Sequence, residues 1–376
     1  MTRPAKEQAG HAGNTPYRLL DAWRGVAALW VVMLHVRLES TPAWLFHLSA
    51  GGHLGVPMFF VISGYCIANA AMRSLQTPTP VLHFVKARLR RIYPPYFCAS
   101  LLAVGLSLAL TLLMERHVVA SSQIAALDLR HQNWRFWVGA LTLTQLPLHA
   151  ALLVRVLWSL CYEAAFYGLI ALGLFGALKI RQPERLLDAS AVLTLGVLVW
   201  LGINPASCPF PWNLWPQFGL GVLVYQILAH PGQKTPQVLF GLCGALVGVG
   251  VVRFSEFGSA DGLPGWFQSL FYLGFAGLLL ALFRWDVRLA RSGPVRLLSK
   301  VGLFSYSLYL IHLLALGIVT QGLNRVHFLS SHTLLIYALK LTVCVAVGWL
   351  FFLFCERPFL DSRRRQAATS ASGVVQ

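Results

Sequence analysis

Two ionisable residues interrupt the first apolar stretch of the chain, LLDAWRGVAALWVVMLHVRLE. Arg24 and His35 stand eleven residues apart in it. At 100° per residue they share a helix face to within about 20° and lie about 16 Å apart along the axis, too far to touch. A neutral imidazole so placed suits general-base chemistry. The plainer reading is a core histidine bonded to a carbonyl, with Arg24 a cation that snorkels to an interface. RVLWSLCYEAAFYGLI holds Ser159 and Glu163 at i, i+4, and Tyr167 continues the stripe. A carboxylate in such a stretch pairs with a cation or carries a proton. FSYSLYLIHLLAL places Ser305, Tyr309 and His312 at i, i+4, i+7, one face of a helix. Glu356-Arg357-Pro358 closes the last apolar stretch.

Two further features concern binding. In GGHLGVPMFFVISGYCIA, Ser63-Gly64 removes bulk, so another helix or a ligand can approach the backbone closely; packing is the preferred reading. In the expected inner loop VKARLRRIYPPYF, Lys86, Arg88, Arg90 and Arg91 precede Pro94-Pro95 at the start of the third apolar stretch. The run either sets membrane topology or cradles a polyanion such as a nucleotide phosphate, since guanidinium forks match phosphate geometry.

The elements that must position these groups follow from composition. Of 376 residues, 57% are hydrophobic and only 11% are charged, whereas a soluble domain has about a quarter of its residues charged. A soluble enzyme, a disordered chain and a disulfide scaffold are excluded, and a polytopic membrane protein is left. Each ionisable group inside hydrocarbon costs a few kcal/mol, which makes the residues above functional candidates. A span needs about 20 apolar residues. Ten stretches fit: 19–38, 54–72, 95–114, 156–177, 187–203, 213–229, 237–253, 266–283, 302–322 and 333–354. The expected fold is an all-α transmembrane helix bundle. Its parts are an N-terminal tail 1–18, a membrane domain 19–356 and a basic tail 357–376.

The net charge of +17 falls in clusters between the apolar stretches. Segments 1–18, 73–91, 179–185, 284–300 and 357–365 together with Lys234 carry 21 of the 30 basic residues, Arg73 among them. All lie on one side of a ten-span chain, which places both termini in the cytoplasm. This pattern, with no finger spacing or RNA-binding aromatic motif, excludes nucleic acid as a partner. The seven cysteines form no CxxC and no Cys/His ligand spacing, so no metal site is expected. The first apolar run has no cleavage site after it and reads as a retained span. The 115–155 connection holds Trp134, Phe136, Trp137 and an apolar piece, 137–148, too short to cross; a re-entrant or interfacial helix is expected there. Gly244 and Gly248 form a GxxxG, read as helix packing. No internal repeat of the inverted-repeat transporter kind is visible.

In this order LDAWRGVAALWVVMLH, GVPMFFVISGY, RLRRIYPPY, LWSLCYEAAFY, SYSLYLIH and ERP resemble the acyltransferase-3 family, membrane O-acyltransferases of bacterial surface glycans and some secondary metabolites. The resemblance covers about residues 17–360. Pro57 stands where many members have Asp, and the serine-hydrolase domain that some members append is not seen. The resemblance implies a bundle of about ten helices in the bacterial inner membrane, with acyl-CoA, by family habit acetyl-CoA, arriving from the cytoplasm. It implies a carbohydrate or other hydroxyl acceptor, with membrane lipids as surroundings.

Carried over residue by residue, His35 matches the family's essential histidine and Arg24 the arginine before it. Glu163 completes the catalytic set. Arg88, Arg90 and Arg91 match the donor-binding stretch, to which Arg73 and Ser63 are added. Trp158, Ser159, Tyr309, His312 and Glu356 support the channel. The pantetheine arm would then run past Arg24 to His35, the general base on the acceptor hydroxyl. The competing reading is a carrier or flippase for a lipid-linked sugar, which equally needs intramembrane charge.

Overall fold

The computed structural model describes residues 17–116, 129–253, 265–323 and 332–360. Most of both predicted tails, and residues 117–128 of the 115–155 connection, lie outside them. Every regular element among the described residues is helical. In chain order these are α1 (Leu19–Val36), α2 (Ala43–Ala50), α3 (Gly55–Ser74), α4 (Pro80–Glu115), α5 (Trp134–Thr142), α6 (Trp158–Lys179) and α7 (Arg185–Ile203). They continue with α8 (Trp215–Ala229), α9 (Thr235–Arg253), α10 (Gly265–Leu282), α11 (Asp286–Leu289), α12 (Gly293–Leu303), α13 (Ser305–Leu323) and α14 (Thr333–Phe351). Nine stretches among the described residues are long and apolar enough to cross a membrane, and the protein is a multi-pass membrane protein.

Two expectations about elements need correction. The predicted span 213–229 is the 15-residue α8. Its rise of about 22 Å falls short of the roughly 30 Å hydrocarbon core. Every residue from Trp215 to Gln226 is buried by protein, so α8 has no lipid thickness to match. The basic run 86–91 is not a loop. It is part of α4, one 36-residue helix that contains Pro94 and Pro95. Prolines open the backbone ladder of a helix, and beside them the Tyr306 hydroxyl donates to the Ile92 carbonyl (3.0 Å). Residues 134–142 form the expected short helix, α5, its first turn capped by Asn133 Oδ1 accepting from the Phe136 N–H (3.2 Å). The remaining apolar residues of the 137–148 piece leave the helix at Leu143, which adopts a left-handed conformation (φ 58°).

The chain divides into two compact units. The first comprises residues up to Arg24, Val56–Lys86 and Tyr162–Ser299. Its centre is aromatic: Phe166 stacks on Phe218 with centroids 4.6 Å apart, and Phe60 and Trp215 each meet Phe166 at 5.7 Å. Helices α3 and α8 meet at glycines. A Cβ on Gly64 would collide with the Phe218 carbonyl, and one on Gly221 with the Val61 carbonyl. The packing reading of Ser63-Gly64 is thus met at Gly64. By contrast, a Cβ on Gly248 would meet nothing within 4 Å, so the GxxxG on α9 is not a close seam. The start of α1 is held by buried Asp286, whose carboxylate accepts from the backbone N–H groups of Leu19 (2.8 Å) and Arg18 (3.1 Å). These are donors that a helix start leaves without internal partners. Burial, with the Asp286 charge, pushes the Tyr17 phenol up, so it remains a donor to the Leu279 carbonyl (2.7 Å).

The second unit comprises Gly25–Gly55, Ala87–Cys161 and the chain from Lys300. Here α13 packs along α14, with Gly348 against Leu308. The turn after α2 presses Gly52 on the Trp30 carbonyl of α1.

Candidate active site

In the second unit, α1 and α13 bring two histidines together. The His35 and His312 rings have centroids 5.2 Å apart and are tilted by 41°. Ser305, Tyr309 and His312 share one face of α13 by their i, i+4, i+7 spacing and are buried, in a segment, Ser307–His312, that is buried all round. His312 is fully buried. Its Nδ1 lies 2.8 Å from the Tyr309 carbonyl and 3.2 Å from that of Leu308. A carbonyl only accepts, so Nδ1 carries the proton and Nε2 is the bare nitrogen. That Nε2 is buried without a hydrogen-bond partner. His35 is only half-buried.

Around this pair the hydroxyls are tied down. The Tyr309 hydroxyl lies 2.8 Å from Ser159 Oγ and 3.0 Å from the Val156 carbonyl. Trp158 and Ser159 open α6, and Ser159 is buried. Buried Glu356 accepts from Ser307 Oγ at 2.5 Å, at the end of a π-helical turn, Phe352–Glu356, that follows α14. Glu356 is thus part of the interior of this unit. Arg88 and Arg91, one turn apart on α4, are half-buried, and Arg90 is exposed.

The other predicted residues belong to the first unit. Arg24 pairs with Asp21 (3.0 Å) and donates to Cys66 Sγ (3.1 Å). Glu163 accepts from the hydroxyls of Tyr167 (2.5 Å) and Ser63 (3.1 Å). Two hydroxyls, not a cation, face the carboxylate there, because α3 delivers Ser63 and the next turn of α6 delivers Tyr167. Arg73 is exposed in the last turn of α3.

One ionisable residue escaped the sequence argument. Lys340 is buried in α14, well inside an apolar stretch, and the rule that flagged His35 applies to it equally. One turn on, the thiol of Cys344 lies against the His312 carbonyl (3.6 Å). Among the described residues no group of three or more His, Cys, Asp and Glu could hold a metal ion.

A multi-pass helical protein with a pair of histidines, one fully and one half-buried, and a basic helix in the same unit is the class that fold and site define. The chain belongs to the acyltransferase-3 family: the model of that family, described as an acyltransferase domain, matches residues 17–353. It is therefore a membrane acyltransferase, and the enzyme reading stands over the carrier. It is 28% identical to BcsY of Komagataeibacter xylinus, provisionally described as a membrane-bound transacylase, over 93% of this chain and 84% of that protein. It is 27% identical to the exopolysaccharide production protein ExoZ of Rhizobium meliloti, over 85% and 93% respectively. With the O-acetyltransferase OatA of Staphylococcus aureus it shares 26% identity over 47% of this chain, which spans only 28% of OatA. No solved structure matches.

Proposed function

We propose that the protein moves an acyl group, acetyl in the first instance, from cytoplasmic acyl-CoA to a hydroxyl of a cell-surface or lipid-linked carbohydrate in the bacterial inner membrane. The observation that carries this is the His35–His312 pair, in which the tautomer of one partner is fixed by a backbone carbonyl. Neutral His35 takes the proton of the acceptor hydroxyl as its oxygen attacks the thioester carbonyl carbon. The C–O bond forms, the C–S bond breaks, and the imidazolium returns the proton to the departing CoA sulfur. His312 offers a second bare nitrogen, able to hold the acceptor hydroxyl or share its proton. The positive charge that Arg155 and Arg37 bring to bear on His35 suits an oxyanion developing at the carbonyl.

The donor's phosphates are assigned to Arg88, Arg90 and Arg91, which face the cytoplasm if the charge asymmetry sets the topology. Arg24, Glu163, Arg73 and Ser63 keep their proposed roles on the family resemblance. The acceptor class is suggested by the names of ExoZ and OatA. The test is mass spectrometry of surface glycans from cells carrying the protein, its His35→Ala variant, or neither. An acyl mass increment in the first sample alone supports the assignment. No increment in any carbohydrate fraction removes it.

A further inference from the structure

The first unit contains a cavity of about 200 Å³ that the proposed chemistry does not use. It lies where the C-terminal ends of α7 and α9 meet the N-terminal ends of α8 and α10. Its polar lining is Asn213, Gln217, Gln268, Ser269 and Tyr272; the other described lining residues, such as Leu198, are apolar or small, and none is charged. Gln217 is only 3% exposed, yet its Oε1 is buried without a hydrogen-bond partner. Asn213, which lines the cavity, accepts from the Tyr162 hydroxyl with its Oδ1 (3.0 Å), and its NH2 group remains a donor. The Tyr272 hydroxyl donates to Ser269 Oγ at 3.3 Å and keeps its oxygen as an acceptor.

A buried amide without a partner is costly and calls for something outside the chain to complete it. The available groups are neutral, include both donors and acceptors, and alternate with aliphatic and aromatic surface. That combination suits a ring with hydroxyls on its edge and C–H groups on its face. A phosphate or anionic head group would call for Arg or Lys, and a hydrocarbon tail would leave the buried Gln217 Oε1 unsatisfied. The volume is below the roughly 300–1,000 Å³ of drug-sized pockets, which limits the occupant to about one ring.

We propose that this cavity binds one neutral sugar residue of the carbohydrate acceptor, with Gln217 as its central hydrogen-bonding group. The proposal rests on the acyltransferase reading above for the ligand's role, but binding can be measured without transfer. The full chain in lipid nanodiscs is probed by saturation-transfer NMR with cellotetraose and N-acetylchitotetraose, and with glucose 1-phosphate as the anionic comparator. At least one neutral tetrasaccharide binds the wild type. Gln217→Leu weakens it about tenfold or more, the loss of one buried hydrogen bond, without lowering the unfolding temperature. Should Gln217→Leu not fold, Gln268→Leu, at a half-buried position, takes its place with the same expectation. Silence from both tetrasaccharides, preference for the phosphate, or unchanged affinity in the folded glutamine variant overturns the proposal. Sugar binding without acyl transfer keeps the cavity and discards the enzymatic reading of His35; transfer to a sugar without tetrasaccharide binding does the reverse.

Discussion

His312→Asn separates the two nitrogens of one ring. The asparagine amide N–H falls close to where imidazole Nδ1 sits, so the 2.8 Å bond to the Tyr309 carbonyl can be kept. What is deleted is Nε2, the buried nitrogen with no partner. Stability therefore changes by no more than about 1 kcal/mol, the net worth of a single hydrogen bond. Transfer is expected to fall by about 10²–10⁴-fold, the usual worth of a positioned acid–base group. Because the two rings are 5.2 Å apart, they should serve one proton transfer. His35→Ala combined with His312→Asn is then no slower than the worse single variant, since groups that act as a unit are strongly non-additive. The assay is single-turnover transfer of labelled acetyl from acetyl-CoA by protein in nanodiscs, with insertion matched by size-exclusion profile. Wild-type rates in a folded His312→Asn protein, or losses that multiply in the double variant, would refute the claim that the pair works together.

Three other outcomes follow from particular contacts. Arg90→Glu, on the exposed side of α4, should raise the acetyl-CoA KM about tenfold and reduce its salt dependence while leaving kcat near wild type; an unchanged KM removes Arg90 from the donor site. Asp286→Asn keeps the shape of the cap on α1 but not its charge, and should cost about 0.5–2 kcal/mol, read as a lower unfolding temperature with kcat unaffected per folded molecule. Gly64→Ala drives a methyl into the Phe218 carbonyl and should cost about 1–3 kcal/mol or prevent stable insertion; a protein of normal thermal stability would contradict the tight α3–α8 crossing.

The parts legible in the sequence were those with a period. Ser305, Tyr309 and His312 share a face because a helix repeats every 3.6 residues, and α13 shows it. The meeting of His35 with His312 was not legible, since no local rule links helices so far apart in the chain. Pro94-Pro95 suggested a loop before a span, yet α4 runs through them as one 36-residue helix. α8 was overlength in the sequence because its apolar run counts residues, not the protein that encloses them. Lys340 was passed over although it obeys the rule already in use. Gln217 was invisible because a neutral amide carries no charge signal, and only burial without a partner reveals it.

The central claim is that His35 accepts the acceptor's proton as the thioester is attacked. Purified wild type and His35→Ala, reconstituted side by side, can be given acetyl-CoA and the carbohydrate fraction of the host envelope while free CoA thiol and labelled carbohydrate are followed together. The account predicts acceptor-dependent thiol release and labelling in equal amounts by the wild type, and neither above background by a fully folded His35→Ala protein. Equal turnover by both proteins would contradict it.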